Sequence, residues 1–265
     1  SSATIIICGL LSFAFSFDFR LPGRYAKVVP GVQPGALLKD GRRKTVNPSM
    51  EPHEYETMFR LERHHWWFQS RLRMIEGMLA QHVWPAVGDR PRLLDLGCGT
   101  GMFLQRRDAC LAFGADFSSH ALGFCRRVGL SRLCRADATR LPFREATFDV
   151  VTAFDLIEHV PDDRTMVDEV WRVLRPGGVF VASVPAHPLL WTGHDVSLHH
   201  MRRYRRREFE ALFDERDGRG WVTVRQTSGF STIFLPALAT RLWRRMTMRG
   251  GEARSDTQPV AEWLN

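Results

Sequence analysis

The run Leu93-Leu94-Asp95-Leu96-Gly97-Cys98-Gly99-Thr100-Gly101 constrains this chain more than any other feature. A short, almost wholly apolar strand runs directly into three alternating glycines, which let a turn bend sharply and let a ligand approach the backbone. Further apolar runs follow at 111–115, around Leu133, at 148–154 and at 179–184, with helical spacing between them. Runs buried on both faces and separated by helices predict an α/β fold with a parallel, doubly wound sheet. Ligands of such sheets sit at the carboxyl ends of the strands, where strand order reverses. A helical pattern over 163–174 ends at Arg175-Pro176-Gly177-Gly178, a sequence suited to a type II turn feeding the next strand. A helix is expected after Gly101. The glycine spacing is DxGxGxG. A GxGxxG dinucleotide fingerprint would need glycine where this chain has Met102, which argues against a nicotinamide dehydrogenase.

Four more motifs follow in order. Gly114-Ala115-Asp116-Phe117-Ser118 closes the second strand, Arg135-Ala136-Asp137-Ala138 follows the third, Phe148 to Val160 spans the fourth, and Val173 to Phe180 leads into the fifth. With the glycine loop, this series resembles the class I S-adenosylmethionine-dependent methyltransferases of the type 11-like kind. The resemblance covers residues 91–184. It implies a Rossmann-like sheet of order 3-2-1-4-5-7-6 and S-adenosyl-L-methionine as cofactor. It also implies that Gly97, Cys98, Gly99 and Gly101 pack against the methionine part of that cofactor, with Asp95 below the loop. On the same ground Asp116 takes the ribose hydroxyls, Phe117 beside it also binds the cofactor, Asp137 accepts from the adenine amino group, the Ala138 backbone reaches the ring, and Phe154 lines the methionine side. Read singly, each acid is equally well a helix cap or a solvated carboxylate, and Ser118 is itself a candidate cap.

Methyl transfer is an in-line displacement for which the protein mainly aligns the nucleophile and excludes water. A hydroxyl acceptor also needs its proton removed, and His159, after the fourth strand, is the candidate base. The alternative is that Glu158 and His159 only shape the turn at Pro161. The segment 185–204, Pro-Ala-His-Pro-Leu-Leu-Trp through His-His-Met-Arg-Arg-Tyr, follows the fifth strand. It resembles a bacterial methyltransferase subgroup, as does the run His64-His65-Trp66-Trp67-Phe68, and that subgroup implies a small-molecule or lipid- or glycan-linked acceptor. His194, Asp195, His199, Arg202, Arg203 and Tyr204 are its candidate acceptor-binding residues. Arginines there could take a phosphate or carboxylate bidentately, or the segment could be a lid whose polar groups bond one another. No histidine spacing in it is diagnostic, so no metal is assigned. O-methylation is the leading reading. Methylation of a quinone or aromatic ring carbon, RNA methylation, and cofactor binding without turnover are the alternatives.

Charge bears on the partner. The net charge is +8, but residues 1–49 hold seven basic and two acidic side chains and all three lysines, while the rest of the chain is nearly balanced. That balance disfavours a nucleic-acid partner, which calls for a continuous basic face. The break in lysine usage marks 1–49 as a leader outside the fold, disordered over its Gly/Pro-rich part, with Met50 opening the body. Residues 50–90 read as a helical cap, 91–229 as the methyltransferase core with 185–204 as an acceptor-lid insertion, and 230–265 as a helical extension. In that extension apolar residues run beside Arg241, Arg244 and Arg245, so peripheral membrane contact competes with packing on the core. No seventh strand is evident before Asn265, so a chain short of its last strand is expected. Five cysteines without a CxxC pair fit a reducing, cytoplasmic compartment.

Overall fold

A computed structural model describes residues 2–10, 52–191, 193–214 and 220–229. Seven parallel strands form one sheet: β1 (Ser2–Leu10), β2 (Arg92–Leu96), β3 (Leu111–Asp116), β4 (Leu133–Arg135), β5 (Phe148–Phe154), β6 (Leu174–Pro185) and β7 (Gly220–Gly229). Their order is β4-β3-β2-β5-β6-β1-β7. Leaving β1 aside, the first five strands of the core follow the expected 3-2-1-4-5 order. The order reverses at β2, which pairs with β3 on one side and β5 on the other.

The helices are α1 (Pro52–His64), α2 (Trp66–His82), α3 (Trp84–Val87), α4 (Ser119–Arg127), α5 (Asp163–Val173), α6 (Gly193–Ser197) and α7 (Arg206–Glu210). The two-residue period of a strand sends alternate side chains to opposite faces. Leu93, Val150, Val179 and Val181 face Leu72, Ile75 and Leu79 of α2 together with Leu122 and Cys125 of α4. Leu94, Leu96, Val151, Phe180 and Ala182 face Met166, Val167, Val170 and Val173 of α5 and Phe209 of α7. The helical pattern over 53–82 divides at His65, whose extended backbone (ψ 126°) ends one helix and whose Nδ1 caps the next by accepting from the Trp67 amide.

Two expectations are corrected. The leader does not lie wholly outside the fold, because Ser2–Leu10 forms β1 and pairs in parallel with both β6 and β7. It takes the place expected of an antiparallel seventh strand. The run Thr4-Ile5-Ile6-Ile7 is β-branched throughout and suits a strand buried between two others. The buried run of β6 leaves a row of backbone groups that need pairing. The second correction concerns the helix expected after Gly101, which is a single 3-10 turn, Leu104–Arg106. Only nine residues separate Gly101 from Leu111, too few for a full crossover helix and its two turns. The remainder of the leader and the extension 230–265, with its expected truncation, lie outside the described residues. Among those described, no helix is long and apolar enough to cross a membrane.

Candidate functional site

The glycine loop leaves β2 with Gly97, Gly99 and Gly101 all at positive φ, 66°, 53° and 86°. That left-handed backbone favours glycine. At Gly101 a Cβ would stand 2.7 Å from Leu130 Cδ1, and at Gly97 2.9 Å from Leu156 Cδ1. The loop is anchored to β3, since the amides of Gly97 and Cys98 both donate to the Ala115 carbonyl. Cys98 is buried, its Sγ 3.9 Å from Cys125 Sγ.

Asp116, at the end of β3, joins loop to helix. Its Oδ2 accepts from the Gly99 amide at 3.0 Å and its Oδ1 from the Ser118 amide at 2.8 Å. Burial raises its pKa, and the backbone bonds oppose that shift. Beside it Phe117 is exposed, and Ala138 is half-buried beyond. Asp137 is exposed and accepts from the amide and hydroxyl of Thr139. Asp95 lies below the loop, 3% exposed, and accepts from the Thr152 hydroxyl at 2.6 Å. Burial raises its carboxyl to about 7. Phe154, at the end of β5, packs edge-on against Phe103.

Three cap residues that the sequence did not single out cover this loop. Tyr55 of α1 hydrogen-bonds Ser118. The Met58 methyl lies 3.6 Å from where a Gly99 Cβ would stand. Buried Glu62 accepts from the Thr100 hydroxyl. Apolar spacing marks a helix and its buried face, but not which loop that face covers.

A second polar cluster lies where β5 and β6 end. The 3-10 turn Ile157–His159 carries Glu158, fully buried, with neither carboxylate oxygen hydrogen-bonded among the described residues. Burial pushes its carboxyl well above the usual range. His159 is mostly buried, and its pKa is lowered to about 4 by burial and by His200. The ring is therefore neutral near pH 7 and keeps one nitrogen as an acceptor. Arg71 of α2 pairs with Asp155 at 2.9 Å, a contact between the aromatic-rich cap and this edge that the sequence did not suggest.

The segment 185–204 folds over this edge through internal bonds. Arg203 Nε lies 2.6 Å from Asp195 Oδ1, and both side chains are buried. Arg202 pairs with Asp163 and reaches the Pro161 carbonyl at 2.8 Å. The Tyr204 hydroxyl donates to Asp163 at 2.8 Å. Arg205 and Arg206 pair with Glu208 and Glu210 on the surface. Of the anticipated acceptor-binding residues, Asp195, Arg202, Arg203 and Tyr204 thus hold the segment together, and His199 is exposed. The side chain of His194 lies outside the described residues. The structure instead brings His200 to Glu158 and His159, a grouping hidden in the sequence because His200 lies 41 residues beyond His159 and reaches it only when the segment folds back.

Sheet order, switch point and glycine loop together define a doubly wound α/β fold with its candidate ligand edge at the carboxyl end of β2. Residues 94–182 match the family described as a methyltransferase domain. A demethylmenaquinone methyltransferase of Clavibacter sepedonicus is 40% identical over 123 residues, 43% of this chain and 49% of that protein. A tRNA (carboxymethyluridine(34)-5-O)-methyltransferase of Arabidopsis thaliana is 32% identical over 95 residues, 35% of this chain and 23% of that protein. A solved SAM-dependent methyltransferase from Thermotoga maritima shares the fold, with a TM-score of 0.50 and 21% identity over 60% of this chain and 73% of that one. The chain spans about half the length of the first curated relatives it matches.

Proposed function

We propose that this protein transfers a methyl group from S-adenosyl-L-methionine to an oxygen of a small-molecule or lipid- or glycan-linked acceptor. The observation that carries the reading is the bracing of the glycine loop by Asp116. A carboxylate fixed at the end of β3 by two backbone amides, with an exposed aromatic ring beside it, fits a ribose and an adjoining adenine. The cofactor supplies an electrophilic methyl on a sulfonium.

The chain's own residues do the rest. The glycine backbone of 97–101 leaves room for the methionine part. Asp95, neutral or charged with its neighbours, places the amino-acid end. Asp137 and Ala138 edge the adenine, and Phe154 lines the methionine side. His159, neutral near pH 7, takes the acceptor proton with a ring nitrogen. Arg202, Arg203 and Tyr204 act on the acceptor indirectly, by holding 185–204 across the pocket mouth and excluding water.

A quinone ring carbon is the second acceptor reading, favoured by the demethylmenaquinone methyltransferase relative. It uses the same residues, because a hydroxylated ring attacks through carbon once its O–H has lost a proton. Incubation with methyl-labelled cofactor and fractionated cell extract separates the readings. Label in lipid or glycan that hydriodic acid releases as iodomethane supports O-methylation, and label in a quinone that survives this treatment supports the second. Label in RNA, or none in any fraction, overturns both. His159→Ala is expected to cut turnover while sparing cofactor affinity. Unchanged turnover removes it as the base.

A further inference from the structure

Glu158 presents a problem that the methyl-transfer reading does not solve. Its side chain is fully buried, and both oxygens lack a hydrogen-bond donor among the described residues. Burying such a group unpaired is costly, so its presence calls for a ligand. Arg71 and Arg203 lie near enough to act on Glu158 by charge, but Arg71 pairs with Asp155 and Arg203 with Asp195, and neither hydrogen-bonds the Glu158 carboxylate, although Arg71 Nε is itself without a partner among the described residues. Glu158 is the acid left over.

Two imidazoles face it. His200 Nε2 lies 4.0 Å from Glu158 Oε1, and the His159 ring meets that of His200 edge-on at 4.8 Å between centroids. One coordinating atom from each of the three residues lies within 4.8 Å of the other two. His200 is also oriented from behind. Its Nδ1 is 3.0 Å from Asp195 Oδ1, and that carboxylate in turn pairs with Arg203. With Nδ1 turned to Asp195, Nε2 is the ring nitrogen on the Glu158 side. A carboxylate behind an imidazole is the usual support of a metal-binding histidine. A neutral His159 ring likewise keeps one lone pair.

We propose that Glu158, His159 and His200 bind a divalent transition-metal cation, with Asp195 as the residue that positions His200. Two imidazoles and one carboxylate form a donor set that zinc accepts while keeping a position open. Ligands at zinc distances stand about 3.4 Å apart, so the cation draws the three groups inward by roughly an ångström. On this proposal the open position is where the acceptor oxygen binds. There the ion would bind an acceptor oxygen and ease loss of its proton to solvent, and His159 would serve as ligand in place of base. That role rests on the acceptor reading above, whereas binding of the ion does not.

The test titrates chelator-stripped protein with Zn2+ by calorimetry and with Co2+ by visible absorption, without cofactor or acceptor. One ion per chain, intense low-symmetry cobalt bands and a rise in Tm with Zn2+ are expected. Glu158→Gln and His200→Ala should each weaken binding by more than tenfold and abolish the Tm rise. His82→Ala, at the last residue of α2, should change neither. Glu158→Gln keeps the side-chain shape, so its circular dichroism and metal-free Tm should match the parent even if His200→Ala folds poorly. Absence of saturable binding, or equal binding by Glu158→Gln and the parent, overturns the proposal. Cofactor binding measured on the same samples keeps its failure distinct from failure of the methyl-transfer reading.

Discussion

At the residue scale, two acids beside the glycine loop, buried Asp95 and half-buried Asp116, have different consequences when replaced. Asp116 holds Gly99 and Ser118 by charged hydrogen bonds. Asp116→Ala is expected to weaken S-adenosylmethionine binding by about tenfold or more, as loss of such bonds commonly does, read by calorimetry. Near-normal affinity would remove the ribose assignment. Asp95 is raised by burial to about 7 from an ordinary value of 3.8. The folded state then holds a proton that the unfolded state has lost between those values. Its contribution to stability is full below about pH 4, falls as pH rises toward 7, and changes little above. Asp95→Asn should flatten that fall, seen as a smaller difference between urea midpoints at pH 5 and pH 8 than in the parent. Both acids were legible in the sequence, because each ends an apolar strand at a fixed distance from the glycines. Their partners were less so. Ser118 is adjacent, but Thr152 meets Asp95 only because β2 and β5 pair in register.

At the scale of elements, segment 185–204 shows why a charge cluster is hard to read. Five arginines between 202 and 207 look like an anion receptor, yet Arg202 and Arg203 are engaged with Asp163 and Asp195. The energetics of the buried pair are asymmetric, because removing one partner strands the other's charge. Arg203→Ala is expected to destabilise by about 3–5 kcal/mol, measured by chemical denaturation. Arg203→Met combined with Asp195→Asn should cost clearly less, and equal losses would mean that the pair is not what holds the segment. Sequence spacing placed the segment directly after β6, beside the ends of β5 and β6. It could not tell a binding arginine from a bonded one, a difference set by carboxylates on α5 and α6.

At the scale of the whole molecule, β1 lies between β6 and β7 and joins them by two parallel ladders. Deleting residues 1–10 should separate β7 from the sheet, lower Tm and speed amide exchange along 179–184. Unchanged exchange there would show that β6 does not depend on this neighbour. The five strands β2 to β6 were evident from apolar runs because both faces of a parallel sheet are buried. The glycine loop, Asp95 and Asp116 were evident because a tight turn at a strand end admits few residue types. Those local constraints determined the class of fold and the cofactor edge. Only the tertiary structure decided which strand fills the gap beside β6, which helix covers the glycine loop, and that His200 returns to Glu158 and His159. Each of those depends on which backbone row or buried charge remains unpaired after the local elements have formed, and pairing between residues distant in the chain leaves no period in the sequence.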